Sequence, residues 1–401
     1  MELKNENIIC ISDRDWENIY MNPAVELLSE VAKQNNILYI DRQHTIKDII
    51  FRILKSKGSF SVYRIFGICK RIRSIETRNG TEVNVLSPYP SIPFNWLKND
   101  GKIYRVILKF NAFLLKKNIR KAIKKLKITQ PIIINSWNPF VGIFLNGKFN
   151  EKLNIYFCWD EMRLAPYYKP YVGIIEDEFT KMVDAVISTS KAIAENRKLL
   201  NKNNFVIKNA ADFNLFNKAY QIKSKQARKK KVVGFIGSID YRFDVDLVKY
   251  LIQNSPDLDF LIVGRNDNQE AINMLSEFSN VEIHDSQVPE KLPEFAARMD
   301  IGIIPFRRLD VIRNMYPMKI NEYLSAGLPV VMTKFADLPE FEDIVFSTNK
   351  PDIFLDRIRE EIKNDSEQKQ LQRINFARNN SWEKRAEKLS KILFDLLKKG
   401  E

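Results

Sequence analysis

The 401-residue sequence contains very little cysteine and histidine. Its three cysteines, Cys10, Cys69 and Cys158, form no CxxC pair, and its two histidines, His44 and His284, are far apart. A disulfide framework needs an even set of cysteines, and a zinc site needs clustered cysteine or histidine ligands. The sequence therefore predicts neither a disulfide scaffold nor a zinc centre.

Long apolar runs are also missing. No stretch reaches the roughly 18 uninterrupted apolar residues that indicate a membrane-spanning helix. The N-terminus has no basic segment ahead of a long apolar one, so no secretory signal peptide is indicated. Hydrophobic residues make up 45% of the chain and charged residues 28%. These values are typical of a soluble globular protein, and 401 residues are enough for two domains. Without a signal peptide, the expected location is the cytoplasm.

Positive charge is concentrated in one part of the chain. Residues 42–127 contain 21 lysines or arginines and 4 acids, so their net charge is 21 − 4 = +17, while the whole chain carries +14. Two of its segments, Phe51 to Arg73 and Lys102 to Lys127, have the pattern of basic amphipathic helices. Such helices suit an anionic membrane surface, which predicts a peripheral position on the inner face of the plasma membrane. The alternative is that their apolar stripes face the core.

Nucleic acid is not an expected partner despite the basic charge. The sequence has no helix-turn-helix pattern and no basic strand face with interleaved aromatic residues.

Apolar, β-branched runs alternate with helical patterns along the whole chain. Seven candidate strands lie between Ile8 and Ile207, and six more lie between Val232 and Phe346. A polar, basic run at residues 221–231 separates the two groups and is the predicted linker. The pattern predicts two consecutive α/β domains, each with a parallel sheet.

The most informative segment is residues 314–331, which predict a loop, a short helix and a buried strand. Pro317 suits the first turn of the helix, and Gly327 suits the left-handed position after its last turn. The start of the helix gathers unpaired N–H groups and partial positive charge, to which Lys319 adds a cation. This end of the helix suits a diphosphate, with the Glu322 carboxylate on a sugar hydroxyl. An ordinary amphipathic helix with solvated side chains is the alternative.

The same segment resembles the donor-binding half of retaining glycosyltransferases with the GT-B fold. It follows the pattern Pro-x-Lys-x-x-Glu-Tyr-Leu-x-x-Gly-x-Pro-Val-Val of bacterial envelope-polysaccharide transferases, and the subgroup it resembles is the teichuronic-acid type. The family has two carboxylates at this segment; Glu322 stands at the second, which holds the ribose, and Asn314 stands at the first. Further similar segments follow in the family's order at residues 235–242, 261–264, 280–288 and 299–306.

The resemblance implies roles for residues that follow the predicted strands. In the family, the loop after the first strand of the second domain supplies cations to the donor diphosphate. Arg242 and Lys319 are accordingly the predicted catalytic cations, and Asp160 is predicted to position acceptor or sugar, or to cap a helix. The predicted substrate-binding residues are Gly237, Ser238, Val288, Pro305, Asn314, Pro317, Met318 and Glu322. No Asp-x-Asp triplet follows a strand, so no metal ligand is predicted.

The first domain resembles the family less closely. Relatives have a His-Asp pair where this chain has Trp159 and Asp160, and a glycine pair where it has residues 13–16. The resemblance nevertheless implies the GT-B fold, in which two Rossmann-like, doubly wound domains face a cleft. The expected domains are residues 1–218 and 219–380, with a final helix at 381–401 that crosses back to the first domain.

The resulting hypothesis is a glycosyltransferase of bacterial envelope or capsular polysaccharide synthesis. It would move a sugar from a nucleoside diphosphate sugar to a glycan or polyprenyl-linked acceptor, with retention of configuration and without a metal. No cofactor is expected beyond the donor substrate. The alternatives are a GT-B sugar-nucleotide epimerase, which needs acid–base residues beside the sugar, and a non-catalytic nucleotide-sugar-binding protein.

Overall fold

A computed structural model describes residues 3–17, 22–54, 64, 67–97, 100–164, 172–222 and 229–400, except for the side chain of Arg52. The chain forms two compact units. The first consists of Met1–Lys208 with Arg385–Glu401, and the second consists of Asn209–Lys384. Part of the predicted linker, residues 223–228, lies outside the described residues.

The first unit is built on an eight-stranded sheet. Its strands are β1 Asn7–Ser12, β2 Asn36–Ile40, β3 Ile72–Glu76, β4 Glu82–Leu86, β5 Ile132–Ser136, β6 Leu153–Cys158, β7 Ala185–Ser188 and β8 Asn204–Val206. Their order is β3-β4-β2-β1-β5-β6-β7-β8, and every pair is parallel except β3 with β4. Its helices are α1 Pro23–Val31, α2 Ile46–Leu54, α3 Lys102–Leu126, α4 Pro139–Leu145, α5 Val172–Met182 and α6 Lys191–Lys198.

The second unit is built on a six-stranded, entirely parallel sheet. Its strands are β9 Lys231–Ile236, β10 Leu258–Val263, β11 Val281–His284, β12 Ile301–Ile304, β13 Val330–Met332 and β14 Phe346–Ser347, in the order β11-β10-β9-β12-β13-β14. Its helices are α7 Phe213–Ile222, α8 Val245–Gln253, α9 Gln269–Leu275, α10 Leu292–Ala297, α11 Met318–Ser325, α12 Pro351–Lys363 and α13 Glu367–Asn379. The last helix of the chain is α14 Trp382–Gly400.

Both sheets reverse their strand order at one point. In the second sheet the reversal lies between β9 and β12, and in the first it lies between β1 and β5. This is the doubly wound arrangement, in which ligands bind beyond the carboxyl ends of the strands at the reversal. Strands such as β5 and β12 are buried at every position, because parallel sheets are covered on both faces.

The boundaries between the units differ from the expected ones. The expected boundary at residue 218 falls inside α7, which packs against α10 and α11 of the second unit. These contacts group α7 with the second unit, so the change of unit comes earlier, after Lys208. Most of α14, from Arg385 onward, groups with the first unit, where the Arg385 side chain donates a hydrogen bond to the Lys208 carbonyl at 3.1 Å.

The basic helix predicted over Phe51 to Arg73 is wrong at its C-terminal end. Residues 51–54 are helical, but Ile72 begins β3, which forms an antiparallel hairpin with β4. The turn contains Asn79 and Gly80, whose φ is 80°, and an Asn-Gly pair is a strong hairpin signal. Residues 55–63 and 65–66 of the predicted helix lie outside the described residues. Across the described ranges, no helix is long and apolar enough to cross a membrane.

Candidate functional site

The reversal point of the second sheet brings several predicted site residues together. Gly237 and Ser238 directly follow β9, and Pro305 directly follows β12. The Pro305 carbonyl accepts a hydrogen bond from the Asp244 amide at 2.8 Å, which ties the loop after β9 to the end of β12. The predicted loop is therefore held at the edge where a doubly wound sheet binds its ligand.

Lys319 lies directly against Gly237. A Cβ atom built on Gly237 would be 2.3 Å from Cε and 3.0 Å from Nζ of Lys319. Real Cβ atoms do not approach other heavy atoms so closely, and any side chain at position 237 would therefore displace the lysine. Glycine leaves room here for the close approach of a cation.

The loops after β9 and β10 also pack backbone to backbone. The Gly237 amide donates to the Val263 carbonyl at 2.7 Å, and a Cβ atom on Gly264 would lie 1.9 Å from the Gly237 carbonyl oxygen. Gly264 has a φ of 155°, which few L-residues adopt. These contacts fix the peptide that carries Gly237.

The helix predicted in residues 314–331 is present as α11. It begins at Met318, so Pro317 is the N-cap residue with extended backbone and not a residue of the first turn. Gly327 has the predicted left-handed φ of 72°. The Gly327 amide donates to the Leu324 carbonyl and the Leu328 amide to the Tyr323 carbonyl, both at 3.0 Å, which is the Schellman pattern.

Two residues that the sequence analysis missed hold α11 in place. The Tyr323 hydroxyl accepts a hydrogen bond from the Ile236 amide at 2.7 Å, and its ring lies against Gly302, where a Cβ atom would be 2.6 Å away. Asn209 donates to the Tyr316 carbonyl at 3.0 Å and so fixes the loop before the helix. Tyr323 stands beside Glu322 in the motif, but no sequence signal indicates Asn209.

Lys319 and Glu322 perturb each other's ionisation at this edge. Burial raises the pKa of the Glu322 carboxyl, and the Lys319 cation only partly opposes this effect. Burial likewise lowers the pKa of the Lys319 ammonium, with Glu322 opposing and the Arg242 guanidinium adding to the shift. Each charge is destabilised without a ligand, and a bound diphosphate would favour the protonated lysine.

Arg242 is held in a fixed position by Asp240. Nε of Arg242 is 2.9 Å from one carboxylate oxygen of Asp240, and Nη2 is 2.5 Å from the other. Burial opposes ionisation of Asp240, but the hydrogen bonds from Arg242 outweigh it and lower the pKa of this carboxyl. The guanidinium also lies 5.6 Å from the centroid of the Phe306 ring. The predicted cation is thus present near Lys319, with a carboxylate partner that the sequence analysis did not identify.

The remaining predicted residues of the second unit lie around these groups. Met318 is the first residue of α11, and Asn314 is half-buried in the turn that precedes this helix. Val288 follows β11 at the start of a 3-10 turn, Pro289–Lys291, and is exposed. The ligand roles predicted for these residues stay predictions.

Asp160 lies in the first unit, beyond the carboxyl end of β6. Its carboxylate accepts a hydrogen bond from the Glu161 amide at 2.9 Å, and its carbonyl accepts one from the indole of Trp137 at 3.1 Å. Trp137 has a φ of 54°, a strained value for so large a residue. The ring of Trp159 is 4.1 Å from that of Trp137, and the Arg14 guanidinium is 5.6 Å from Trp159. The edge of the first sheet is therefore largely aromatic.

A buried charge network supports the loop that contains Asp160. Arg197 contacts the carboxylates of Glu161 and Glu176 at 2.9 and 2.8 Å, and Tyr156 donates to Glu176 at 2.8 Å. All three charged side chains are almost fully buried. The guanidinium lies within 3 Å of both carboxylates and compensates their charge.

Comparison with known proteins agrees with this geometry. The family described as "Glycosyl transferases group 1" matches residues 230–364, which include Gly237, Arg242, Lys319 and Glu322. All of the matched residues lie in the second unit. The putative teichuronic acid biosynthesis glycosyltransferase TuaH of Bacillus subtilis is 30% identical over 132 residues. The aligned part is 32% of this chain, and the chain spans only 33% of the length of that relative.

Solved structures resemble the chain over almost its whole length. Anabaena HepE in complex with UDP and glucose has a TM-score of 0.61 at 14% identity and covers 97% of this chain and 99% of its own. The catalytic domain of starch synthase IV from Arabidopsis thaliana, bound to ADP and acarbose, has a TM-score of 0.65 at 11% identity, with 98% and 100% covered. These likenesses confirm the predicted α/β, GT-B fold.

Proposed function

We propose that this chain is a glycosyltransferase of bacterial envelope polysaccharide synthesis. It transfers a sugar from a nucleoside diphosphate sugar to a glycan or polyprenyl-linked acceptor at the cytoplasmic face of an anionic membrane. The main support is the position of Lys319 against Gly237 at the reversal point of the second sheet. The match of residues 230–364 to a glycosyltransferase family and the similarity to TuaH support the same activity.

Lys319 and Arg242 are the groups that would meet the negative charge of the departing diphosphate. The Lys319 side chain is partly buried, and a fixed cation in such a place stabilises developing charge more strongly than water does. The amides at the start of α11 add partial positive charge. No metal is needed in this scheme, so the reaction is proposed to be metal-independent.

The proposed transfer retains the configuration of the sugar. The bond between the anomeric carbon and the diphosphate oxygen breaks, and the acceptor oxygen bonds to that carbon on the same face. The acceptor proton passes to the departing phosphate oxygen, so no carboxylate nucleophile is required. Glu322 would hold the ribose hydroxyls, and Asp160 would position acceptor or sugar.

The test is a thermal-shift panel of UDP, ADP, GDP and CMP sugars, measured with a metal chelator present. A donor at about 100 times its dissociation constant should add about 2.7 kcal/mol to the free energy of unfolding. A Gly237→Ala variant, whose Cβ would displace Lys319, should lose most of the shift. If no nucleotide-sugar shifts melting, the proposal fails. Release of an epimer without any acceptor would instead identify an epimerase.

A further inference from the structure

The solvent side of α3 is apolar in its first half. Ile103, Val106, Phe110 and Phe113 are 67%, 65%, 44% and 43% exposed. Their spacing of three and four residues places them on one side of the helix. The buried hydrophobic residues of α3 lie on the opposite side and are Tyr104, Leu108, Ala112, Leu115, Ile119 and Ala122. The domain core is therefore formed without the four exposed side chains.

One apolar side of the basic helix faces the core, as one of the two interpretations expects. Leu108 is buried on that side, whereas Val106, Phe110 and Phe113 are exposed. The helix has two apolar sides, of which one packs in the unit and one faces solvent.

The second half of the same solvent side is basic. Lys117, Arg120, Lys121 and Lys124 continue the line of the apolar residues, and Lys117 Nζ is 4.5 Å from the centroid of the Phe113 ring. The 25 residues of α3 include nine lysines or arginines and no acid. Its exposed side thus joins an apolar end to a cationic end.

Neighbouring segments extend this surface. The Gln43 side chain donates to the carbonyls of Tyr89 and Asn111 at 3.2 and 3.4 Å, and the Ile46 amide donates to the Ser91 carbonyl at 3.0 Å. These bonds join the start of α2, the segment at residues 89–92 and the middle of α3. The exposed apolar side chains that these two segments add are Ile46, Ile50, Phe51, Tyr89 and Ile92.

The concentration of exposed apolar groups is particular to this region. Among the described residues, 22 large hydrophobic side chains are exposed, and 13 of them lie between Ile46 and Phe113. Apolar patches of this kind mark interaction sites. The same region carries most of the excess positive charge of the chain. A second copy would place cations against cations, whereas an anionic lipid surface matches both the charge and the aliphatic side chains.

We propose that this docking face, formed by the exposed side of α3, the start of α2 and residues 89–92, binds an anionic lipid bilayer. The apolar residues of α3 enter the boundary between headgroups and acyl chains, and Lys117, Lys121 and Lys124 contact the headgroups. This names the surface that brings the proposed enzyme to a lipid-linked acceptor. Binding to lipid itself does not depend on the donor reaction.

The apolar contribution is tested by flotation of the full chain with phosphatidylglycerol vesicles at low salt. Val106→Glu/Phe110→Glu should weaken binding about tenfold or more, because two apolar side chains no longer enter the lipid. The matched control is Ile353→Glu/Leu371→Glu in the second unit, where Leu371 is 45% exposed. This variant should bind the vesicles as strongly as the wild-type protein does. Equal flotation of both variants would overturn the proposal.

The cationic contribution is tested with Lys117→Gln/Lys121→Gln/Lys124→Gln. At about 1 kcal/mol per cation, binding to phosphatidylglycerol vesicles should fall roughly a hundredfold and lose salt sensitivity. Lys334→Gln/Lys350→Gln/Lys369→Gln removes the same charge from exposed positions of the second unit and should leave binding unchanged.

Two measurements separate this proposal from its rivals. Thermal melting and the nucleotide-sugar shift should be unchanged in all four variants, so that a loss of flotation is not a loss of folding or of donor binding. Docking on lipid would be contradicted if the wild-type chain did not float with the vesicles. It would also be contradicted if the wild-type chain were a dimer and the Val106→Glu/Phe110→Glu variant a monomer, because the face would then bind a second copy. If the chain floats with vesicles but no nucleotide-sugar changes its melting temperature, lipid docking is supported and the proposed transferase activity is not.

Discussion

The two sheets of this chain share one architecture and differ at their carboxyl edges. At the reversal point of the second sheet, Lys319 lies over Gly237, and the charged groups there are poorly compensated. At the reversal point of the first sheet, the rings of Trp137 and Trp159 are 4.1 Å apart, and the buried carboxylates behind them have a guanidinium within 3 Å. A common fold fixes where a ligand can bind, whereas the side chains at that edge decide the chemistry.

The two edges are also stabilised by different means. In the second unit, Gly237 and Gly264 allow direct backbone contact between loops. In the first unit, the loop after β6 depends on Arg197 between Glu161 and Glu176. Removing the one charge of Arg197 should therefore destabilise the first edge. At the second edge, a side chain added at a glycine, or removal of a charge that faces the ligand, should impair ligand binding.

The largest expected effect is that of Arg197→Met on stability. The substitution removes the nearest cation from two buried carboxylates and leaves Glu176 only a longer contact of 3.9 Å with Arg163. This should lower the free energy of unfolding by about 3–5 kcal/mol. Chemical denaturation monitored by fluorescence measures this loss. Arg359→Met removes a pair with Asp257 at the surface and should change stability by less than about 1 kcal/mol. Similar losses in the two variants would show that the buried network does not support the first edge.

The next effect is that of Lys319→Ala on turnover. Removing one fixed charge from a reacting site costs about a hundredfold to a thousandfold in rate, and the fold should remain because the lysine is not part of the core. Sugar transfer with saturating donor measures the loss. Lys334→Ala, at an exposed position of the same unit, should have the unchanged rate. If the Lys319→Ala variant were as fast as the control, Lys319 would have no role in the reaction.

Local patterns predicted much of the second unit and less of the first. The bracketing of α11 by Pro317 and Gly327 was correct to within one residue, because capping depends on neighbours in sequence. The Asn79–Gly80 turn was also visible locally, but the basic helix was predicted to continue to Arg73, which lies in β3. Basic amphipathic character is shared by solvated faces of several kinds, so it did not determine secondary structure.

Contacts between distant residues could not be predicted from the sequence. The Tyr323 hydroxyl meets the Ile236 amide across 87 residues, and Asn209 meets Tyr316 across 107. Each depends on how α11 packs against the sheet, which the sequence alone does not specify. The same reason applies to Trp137, whose φ is positive and whose indole donates to the Asp160 carbonyl across 23 residues.

The smallest expected effect is a pH-dependent change in stability on Glu322→Gln. Burial raises the pKa of Glu322 in the folded chain, so the folded state holds this proton more tightly than the unfolded state does. Ionisation of Glu322 therefore lowers stability as the pH rises above the unfolded pKa, which is about 4.3 for glutamate. Without ligand, the glutamine variant should melt at a higher temperature than the unchanged chain at neutral pH.

This advantage should disappear as the pH falls toward the unfolded pKa, where the carboxyl is protonated in both states. Scanning calorimetry across the pH range measures the difference, and Glu342→Gln, at an exposed position, should show no such trend. The same glutamine variant should bind nucleotide-sugar more weakly, because the ribose loses a charged acceptor. A stability difference that does not vary with pH would mean that Glu322 is not destabilised by burial, and the contrast between the two edges would then rest on Lys319 alone.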